Sequence, residues 1–508
     1  MEILSANQLR EWDQYTIKNE PITSIDLMER AASKCAKWFV DREKDYKSKH
    51  FFIFCGIGNN GGDGLVLARL LAQKGFKIQC VPVYFSSKTS ADFKTNYERL
   101  QNTDVTIKKV HSAKDFPEIS NKNTIIVDAL LGTGIDRPSE GLVKETINYI
   151  NRVNTAVIAI DVPSGLYCDA PNNSKDAIIF SSCTLSFQRP KLSFFLPPNQ
   201  RFVGKLEILS IDLLPDFSSQ IETSYYTISP SYVKKNIQPR DSLSHKGDFG
   251  HALLISGKSG QYGAAVLSAM ALARSGVGLS SIYSTAEALP ILQSAVPEAM
   301  FIVNNGSKFI EPDENYDFSN HDVIGVGPGI GTSEATEKFF GHLLKVYHQP
   351  MVVDADAINL LAKNKNWLTN LPKNSILTPH HKEFVRLFGE FDNSFERLEK
   401  QIEAAEKWKL FIVFKGQNTC LTCPDGRVYF NTTGNPGMAT GGSGDVLTGL
   451  ITGLLAQGYS SRDSAIIGVY IHGLAGDYAA DSLGQICMKA SDLINNFSKA
   501  FNEIIHLD

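Results

Sequence analysis

A glycine-dense segment in the second half of the chain carries residues suited to phosphate chemistry. Gly442, Ser443 and Gly444 precede an apolar helical run within NPGMATGGSGDVLTGLITGLLAQG (435–458). The free backbone amides at that helix start predict an anion hole. Asp445 lies at its rim, where a carboxylate can act as base on a hydroxyl beside a phosphoryl group. The alternative is a capping Asp after a flexible turn, but so much glycine weakens a helix start unless close backbone approach is useful.

Other segments of the same half offer contacts to a nucleotide. Five residues that follow a predicted strand provide a cation, a small glycine and hydrogen-bonding side chains for a nucleotide phosphate: Lys415, Gly416, Gln417, Asn418 and Thr419. The loop GVGPGIGT (325–332) follows a second strand, and His380 follows a third. Asp354 and Asp356 lie at the end of a fourth. These segments add nucleotide-binding residue types to the predicted anion hole.

The first half has its own glycine loop, CGIGNNGGDG (55–64), between a predicted strand and a predicted helix. Its glycines match G-x-G-x-x-G, which permits close approach of a ligand to the backbone and to helix amides. A dinucleotide fold also needs an acidic residue after the second strand, where this chain has YFSSK (84–88). Asp63 would also place a carboxylate against a pyrophosphate. An ordinary strand–helix turn and an NADP oxidoreductase stay open as alternatives for this loop.

Two aspartates close other strands of the first half. Asp128 ends IIVD before ALLGTGIDRP (129–138), and Asp161 ends VIAID before VPSG (162–165). Either Asp alone is equally consistent with helix capping or turn formation. Ligands of an open α/β sheet bind beyond the carboxyl ends of the strands. The two aspartates and three glycine- or proline-bearing turns are therefore expected to converge on one crevice.

Two further motifs are poor functional candidates. ALLISGKS (252–259) ends like a Walker A loop, but its first position is Ala and no helix is predicted directly after Ser259. Cys420 and Cys423 form a lone CxxC inside a predicted β-hairpin that turns at PDG (424–426). Strand alternation points the two thiols to opposite faces, and no second Cys pair is near, which favours structural cysteines.

Short β-rich runs alternate with helical patterns along the whole chain, which predicts the α/β class. We expect two doubly wound, three-layer domains, at residues 1–215 and 225–505. The segment 213–230 breaks the rhythm and is expected to join them. Strands are expected at 51–55, 76–85, 123–129, 155–161, 183–187, 251–256, 322–327, 351–356, 375–379 and 410–416, with helices at 65–75, at 263–276 and from 441 onward.

Composition limits the class of protein. The chain has 508 residues, 43% of them hydrophobic and 20% charged, which excludes a largely disordered chain. Its net charge of -4 lacks the basic character of a nucleic-acid binder. It has no apolar run long enough to span a membrane, and its start is polar and unlike a secretory signal. Eight scattered cysteines suit the reducing cytoplasm, where we expect the protein.

The first-half motifs, GxGNNGGDG, VDALLGTG and DVPSG in that order, resemble the epimerase domain of the NAD(P)H-hydrate repair enzymes. The resemblance covers about residues 1–215. It implies that Asp161 is the acid–base group for epimerisation at nicotinamide C6, and that Asn60, Asp128 and Ser164 bind a potassium ion. It also implies that the hydrate is bound by Asp161 and by Asn59, Asn60, Gly61, Gly62, Asp63, Gly132, Thr133, Gly134, Ile135, Asp136, Arg137 and Pro138.

The second-half motifs, KGxxT, the GPG loop, TPHxxE and GGSGD, resemble the ribokinase-like dehydratase domain of the same family over about residues 225–505. The resemblance implies that Lys415, Gly416, Gln417, Asn418, Thr419 and Gly444 bind ADP or AMP. It implies that Ala264, Ala265, Gly327, Gly329, His380 and Asp445 bind the hydrate. The family commonly has TPHxGE, whereas this chain has His381 and Lys382 before Glu383, which leaves the contacts of Glu383 open.

Both resemblances together are typical of a bifunctional enzyme that epimerises R- and S-NAD(P)HX and dehydrates the S form. ADP as co-substrate, a potassium ion and a magnesium ion are implied. The implied partners are NADHX and NADPHX, with no nucleic acid, no membrane and a homo-oligomeric assembly. A ribokinase-type small-molecule kinase with an N-terminal nucleotide-binding module stays open as the alternative, as does a non-enzymatic binding module.

Overall fold

The structure is a computed structural model that describes residues 1–120, 123–218 and 220–507. The chain divides into two compact units. The first unit is Glu2–Thr223, and the second begins at Ser224 and also includes Met1. Among the described residues, no helix is both long and apolar enough to cross a membrane.

The first unit contains a sheet that, within its described residues, has seven parallel strands in the order β3-β2-β1-β4-β5-β6-β7. The order reverses between β1 and β4, and such a point opens a ligand crevice at the carboxyl ends of the strands. The strands are β1 (His50–Cys55), β2 (Lys77–Pro82), β3 (Thr106–Ile107), β4 (Thr124–Ala129), β5 (Ala156–Ile160), β6 (Cys183–Phe187) and β7 (Lys205–Leu209).

Helices cover both faces of this sheet, because its central strands are apolar on both sides. Phe52 and Phe54 of β1 pack into one apolar cluster, while Phe51 and Ile53 pack into another. The helices are α1 (Ala6–Asn19), α2 (Ser24–Asp41), α3 (Glu43–Tyr46), α4 (Asn59–Gln73), α5 (Ala91–Gln101), α6 (Gly141–Arg152), α7 (Gln200–Val203) and α8 (Pro215–Ser218).

The second unit contains a larger sheet. In its described part the order is β11-β10-β9-β12-β13-β14-β15-β16-β17-β8, parallel except where β16 pairs with β15 and β17. Its strands are β8 (Tyr225–Thr227), β9 (His251–Ile255), β10 (Leu279–Thr285), β11 (Met300–Asn304), β12 (Val323–Val326), β13 (Met351–Val353), β14 (Ile376–Leu377), β15 (Phe411–Phe414), β16 (Cys420–Thr422) and β17 (Val428–Phe430).

Alternate residues of β9 face opposite layers of this unit. Leu254 packs with the helices of one face, and Leu253 and Ile255 pack with those of the other. The helices are α9 (Pro230–Asn236), α10 (Tyr262–Arg274), α11 (Leu289–Ala295), α12 (Glu334–Val346), α13 (Ala355–Lys363), α14 (His381–Phe388), α15 (Ser394–Trp408), α16 (Ser443–Ala456), α17 (Ser461–Leu483) and α18 (Ala490–Ile505). The α/β class with two doubly wound, three-layer units is therefore confirmed.

Most element boundaries fall where the sequence predicts them, with three instructive differences. Helix α4 begins at Asn59 and α16 at Ser443, so each glycine loop is itself the first turn of a helix. The predicted strand at 351–356 ends at Val353, because Asp354 is the N-cap of α13. The segment 213–230 contains α8 and β8, while Ser219 lies outside the described residues.

The CxxC hairpin is confirmed. Cys420 lies in β16, which pairs antiparallel with β17. Cys420 and Cys423 are both buried, and all eight cysteines are free thiols. Among the described residues, no group of three or more His, Cys, Asp or Glu side chains is arranged to hold a metal ion.

Candidate functional site

The first unit has a cavity of about 1480 Å³ at the carboxyl ends of β1, β4 and β5. Most of the predicted hydrate-binding residues line it, including the whole loop 132–138. Asn59, Asn60, Asp63 and Asp161 also line it. Gly61 and Gly62 are buried in α4 and are not among the lining residues. The crevice expected from the strand-end motifs is therefore present as a single cavity.

Gly61 lets the β1–α4 turn close tightly. A Cβ on Gly61 would lie 1.7 Å from the carbonyl oxygen of Gly56, and a Cβ on Gly56 would lie 1.9 Å from that of Leu130. Neither distance can accommodate a side chain, so the glycines bring β1, α4 and the loop after β4 into backbone contact. That contact sets the position of Asn60 at the start of α4.

Three residues predicted to bind potassium form one hydrogen-bonded group. The Ser164 hydroxyl lies 2.6 Å from Asp128 Oδ1, and the Ser164 amide donates to Asp128 Oδ2 at 2.8 Å. Leu131 connects Asn60 to this pair. Its amide donates to Ser164 Oγ, and its carbonyl oxygen accepts from Asn60 Nδ2 at 2.9 Å. Burial raises the pKa of Asp128 to about 6, although its hydrogen bonds to Ser164 and Leu130 oppose the shift.

One oxygen of this group lacks a partner. Asn60 Oδ1 is buried and has no hydrogen-bond partner among the described residues. A buried acceptor without a donor is costly, and a carbonyl-type oxygen is a suitable ligand for a hard cation. The donor set of Asn60, Asp128 and Ser164, all oxygens, therefore fits an alkali ion.

Asp161 lies just after β5 in a strained backbone conformation, with φ of +65°. Its Oδ1 accepts a hydrogen bond from Nζ of Lys191 at 2.6 Å and from the amide of Phe187 at 3.3 Å. Lys191 is fully buried and also donates to Ser186 Oγ at 2.7 Å. Non-glycine residues in this conformation cost free energy and cluster at functional sites. The geometry presents one carboxylate oxygen to a buried ammonium at the edge of the cavity.

Two of the other carboxyl groups that line this cavity with Asp161 have raised pKa values. Burial, reinforced by the charge of Asp161 and opposed by Lys191, raises the pKa of Asp13 to about 7. Burial also raises the pKa of Asp63, with Asp161 and Asp13 acting in the same direction. The cavity thus combines a lysine-paired carboxylate with two carboxyl groups whose pKa values are raised, a combination suited to acid–base chemistry.

The second unit places its phosphate-chemistry residues around the start of α16. Gly442 is the N-cap, and no side chain caps the helix amides. His472, from α17, holds this turn, since its Nε2 lies 2.9 Å from the carbonyl oxygen of Ser443. Burial lowers the pKa of His472 to about 4, so the ring is a neutral donor to Ser443. The predicted anion hole therefore lies at the start of α16, where no side chain among the described residues caps the amides. The hydrogen bond from His472 to Ser443 holds this first turn in place.

Lys415 extends to this helix start from the end of β15. A Cβ on Gly444 would lie 3.1 Å from Lys415 Nζ. The same ammonium donates to Asp354 Oδ1 at 2.7 Å, and Asp354 Oδ2 accepts from Thr448 Oγ1 at 2.6 Å. Burial alone would lower the pKa of Lys415, but Asp354, Glu383 and the bond to Asp354 outweigh it and raise that pKa. Lys415 is therefore a cation at the predicted anion hole.

Asp445 lies in the first turn of α16 among charged neighbours. Burial and the Asp354 carboxylate raise the pKa of Asp445 to about 7, with Lys415 opposing the shift and Asp356 and Glu383 adding to it. A carboxylate with a pKa near the working pH is suited to general base catalysis.

Several of the predicted hydrate-binding residues of this unit are neighbours. Gly327 has φ of +135°, and a Cβ there would lie 1.9 Å from the carbonyl oxygen of Asp354. Gly329 has φ of +64°, and a Cβ there would lie 3.1 Å from Cβ of Ala264. The loop after β12 therefore touches both the Asp354 strand end and the start of α10, while Ala265 is fully buried in the core.

His380 is the N-cap of α14, and the open question about Glu383 is resolved here. The amide of Glu383 donates to His380 Nδ1 at 3.1 Å, and the amide of His380 donates to Glu383 Oε2 at 2.9 Å. His381 and Lys382 are exposed, so their departure from the family motif leaves this capping box intact.

The segment after Lys415 is a tight turn. Gly416 and Asn418 both have positive φ, and Thr419 Oγ1 donates to the carbonyl oxygen of Gly416 at 3.0 Å. Gln417 is exposed. The turn follows β15 directly, at the same sheet edge as Asp354 and His380.

Comparison with known proteins identifies the family. A model described as YjeF-related protein N-terminus matches residues 24–193, and one described as NAD(P)H-hydrate dehydratase matches residues 252–499. The bifunctional NAD(P)H-hydrate repair enzyme of Thermofilum pendens is 31% identical over 99% of this chain and 97% of its own length. The chain belongs to the bifunctional NAD(P)H-hydrate repair enzyme family.

Solved structures resemble the second half of this family member. A ribokinase-like superfamily protein from Enterococcus faecalis V583 is 27% identical, with a TM-score of 0.50, over 56% of this chain and 98% of its own. An ADP/ATP-dependent NAD(P)H-hydrate dehydratase from Bacillus subtilis, co-crystallised with ATP and Mg²⁺, is 28% identical over 55% of this chain and 98% of its own, with a TM-score of 0.48. The ribokinase-like fold of the second unit is consistent with the first of these.

Four residues that contact or influence the predicted site residues are not predicted from the sequence. Lys191 and Asp13 lie far from the glycine motifs, Thr448 is one turn into an apolar helix, and His472 lies on α17. The histidine inside the otherwise apolar run GVYIHGLAG (468–476) is the signal that could have indicated His472. Lys191 follows Gln188 and Arg189 in a polar stretch, so no such signal marks it.

Proposed function

We propose that this enzyme repairs hydrated NADH and NADPH in two steps. The domain at 1–215 interconverts R- and S-NAD(P)HX, and the domain at 225–505 dehydrates the S form with ADP, releasing AMP and phosphate. Family membership supports the overall activity, and the two separate acid–base sites support a division between the units. The observation that carries the proposal is Lys415 and Asp445 at the uncapped start of α16, because that arrangement suits phosphoryl transfer to a hydroxyl.

The proposed dehydration converts a poor leaving group into a good one. Asp445 takes the proton of the C6 hydroxyl, whose oxygen attacks the β-phosphorus of ADP and displaces AMP. The amides of Gly442, Ser443 and Gly444 and the ammonium of Lys415 stabilise the charge on the moving phosphoryl group. Phosphate then leaves C6 and a proton leaves C5, which restores the C5–C6 double bond of the dihydropyridine ring.

The hydrate and nucleotide contacts of this site are assigned as follows. Lys415 and the turn 416–419, with Gly444, are assigned to ADP and AMP. The hydrate is assigned to Ala264, Gly327, Gly329, His380 and Asp445, since the side chain of Ala265 is fully buried in the core. Support comes from the positions of the Gly327–Gly329 loop, His380 and Lys415 after β12, β14 and β15, and from the contacts between that loop, Asp354 and the start of α10.

The proposed epimerisation takes place in the 1480 Å³ cavity of the first unit. Asp161 protonates the C6 hydroxyl as the C6–O bond breaks with the help of the N1 lone pair, which releases water and leaves an N1–C6 iminium. Water then adds to the opposite face of C6 and gives up a proton, and loops 59–63 and 132–138 bind the nucleotide. The ion pair with Lys191 orients one oxygen of Asp161, which leaves the other for the substrate. The charge of Asp161 raises the pKa values of Asp13 and Asp63, so a further carboxyl group of this cavity is available to take the proton of the water that adds to C6.

Two metal ions are proposed. Potassium is assigned to Asn60, Asp128 and Ser164 on the strength of their oxygen donors and the buried Asn60 Oδ1. Its charge would strengthen binding of the anionic nucleotide beside loop 132–138. Magnesium is assigned to the dehydratase as a companion of the ADP phosphates, because Mg²⁺ usually binds through one or two carboxylates together with phosphate oxygens. The free thiols suit the reducing cytoplasm, which is the proposed location of the protein. The chain is also proposed to form a homo-oligomer, which analytical sedimentation can test.

Two matched substitutions test the division of labour. Asp161→Asn is expected to slow R-to-S exchange while leaving ADP-dependent dehydration of S-NADHX intact, and Asp445→Asn is expected to do the reverse. Chromatography of the epimers without ADP measures exchange, and the return of reduced-nicotinamide absorbance measures dehydration. Asp104→Asn and Asp481→Asn make the same chemical change at exposed positions and control for it.

The outcomes separate the alternatives. Loss of both activities in either variant contradicts separate sites, and unchanged exchange in Asp161→Asn moves the acid–base role elsewhere. A stable phosphorylated product in place of NADH would instead favour the ribokinase-type kinase.

A further inference from the structure

Lys415 forms an ion pair with the buried carboxylate of Asp354, which has no role in the proposed reaction. Asp354 follows β13 directly, and its side chain is 1% exposed. Its Oδ1 accepts from Lys415 Nζ at 2.7 Å, and its Oδ2 accepts from the Thr448 hydroxyl at 2.6 Å. Each carboxylate oxygen therefore has a donor, one from the end of β15 and the other from α16.

This arrangement fixes where the ammonium points. Lys415 Nζ and Asp354 Oδ2 would lie 3.1 Å and 3.9 Å from a Cβ on Gly444. A lysine side chain has four rotatable bonds and loses much conformational entropy when it is held in one rotamer. A partner that orders it in the free protein removes that cost from nucleotide binding and from phosphoryl transfer.

We propose that Asp354 is a positioning residue of the dehydratase, which aims Lys415 at the phosphoryl group of ADP and is itself aimed by Thr448. The inference rests on the proposed function of the second unit. Asp354 touches neither nucleotide nor hydrate in this account, and it acts through Lys415.

The charge of Asp354 has a second effect, on the base. The charged groups that influence Asp445 are Asp354, Lys415, Asp356 and Glu383. Asp354 contributes more than the other three, and its negative charge raises the pKa of Asp445. A neutral residue at position 354 therefore lowers that pKa, so that Asp445 becomes ionised at a lower pH.

Asp354→Asn tests both effects in the full chain with S-NADHX and ADP. We expect kcat/KM for ADP to fall about tenfold, because the ion pair with Lys415 becomes a weaker hydrogen bond from the ammonium to a neutral amide oxygen. The KM for S-NADHX should change less than about twofold, since Asp354 is not assigned to the hydrate. The acid limb of the rate profile should move to lower pH by about half a pH unit or more.

Thr448→Val separates positioning from charge. It removes the hydroxyl that aims Asp354 but leaves every charge in place, so kcat/KM for ADP should fall while the acid limb stays where it is. Thr452→Val is the matched control, because Thr452 is also buried in α16 but its hydroxyl donates to the backbone carbonyl oxygen of Thr448, at 2.7 Å, rather than to Asp354. That control should retain the wild-type kcat/KM for ADP.

The results distinguish a failure of the positioning role of Asp354 from a failure of the proposed dehydratase function. A wild-type chain that cannot dehydrate S-NADHX with ADP refutes the proposed function. An active wild type with unchanged kcat/KM for ADP in Thr448→Val refutes the positioning role, even where Asp354→Asn fails to fold. Equal losses in Thr448→Val and Thr452→Val indicate a packing effect and also refute it.

Discussion

Nζ of Lys191 lies 2.6 Å from Oδ1 of Asp161, at the edge of the cavity in the first unit. The lysine side chain is 1% exposed and that of Asp161 is 14% exposed. An ion pair this deep stabilises a fold only when its remaining hydrogen bonds are satisfied, and Ser186 provides one of them. The pair therefore holds a strained Asp161 in one orientation toward the cavity, which is what a proton-transferring carboxylate requires.

Lys191→Met removes this partner and keeps the length of the side chain. We expect R-to-S exchange to fall at least about a hundredfold, and the first unit to lose about 3 kcal/mol of stability, because Asp161 becomes a buried carboxylate without a cation. Exchange is measured on the separated epimers, and dehydration of S-NADHX serves as the internal reference. Lys144→Met, on an exposed face of α6, is the control. Exchange at the wild-type rate in Lys191→Met would refute the role of the pair.

The pH dependence of dehydration follows from Asp445. Burial and the Asp354 carboxylate raise the pKa of this group to about 7. Because a general base must be ionised, kcat/KM should be low below that pH and rise as the pH increases through about 7. The profile should flatten in Asp445→Asn at its residual rate. A wild-type rate that is constant or falling across the same pH range would contradict the assignment of Asp445 as base.

The sequence predicts most of the fold and, at each site, the residues that lie on glycine loops and strand ends. Strand ends such as Asp128 and Asp161, and the glycines around Asp445, are recognisable because parallel strands deliver their ends to one edge and glycine marks close approach. The partners of those residues are not recognisable in the same way. Lys191, Asp13 and His472 come from elements that are distant along the chain, and only packing brings them to the site.

The predicted strand at 351–356 illustrates the same limit. Its apolar residues are indeed buried in β13, but Asp354 occupies the N-cap position of α13 and directs its carboxylate to Lys415 and Thr448 rather than to the helix amides. Its link to Lys415 spans two strand ends that are 61 residues apart in sequence. Periodicity detects the strand, but it cannot indicate which lysine the aspartate will meet.

Potassium dependence tests the role of Asn60. In buffers with potassium replaced by tetramethylammonium, R-to-S exchange should slow, and added KCl should restore it. Asn60→Leu removes the buried Oδ1 and should raise the potassium concentration needed for half-maximal exchange by about tenfold or more. Dehydration of S-NADHX by the same protein shows whether the second unit remains intact. Exchange that is independent of potassium in the wild type would refute the assigned site.

The glycine contact between β1 and α4 makes a stability prediction. A Cβ on Gly61 would lie 1.7 Å from the backbone oxygen of Gly56, whereas a Cβ on Gly58 meets nothing within 4 Å. Gly61→Ala should therefore destabilise the first unit by more than about 2 kcal/mol. Gly58→Ala should cost less than about 1 kcal/mol. Urea unfolding followed by limited proteolysis of this unit measures both, and equal effects of the two substitutions would contradict the close contact.

Recovery of reduced-nicotinamide absorbance from a mixture of R- and S-NADHX tests whether this one chain has both activities. The wild-type chain is incubated with ADP, with ATP, or with neither. We expect complete recovery with ADP, because the first unit converts the R form as the second consumes the S form. A reaction that stalls with the R form left over would contradict epimerisation by this chain. No recovery with either nucleotide would contradict the repair function altogether.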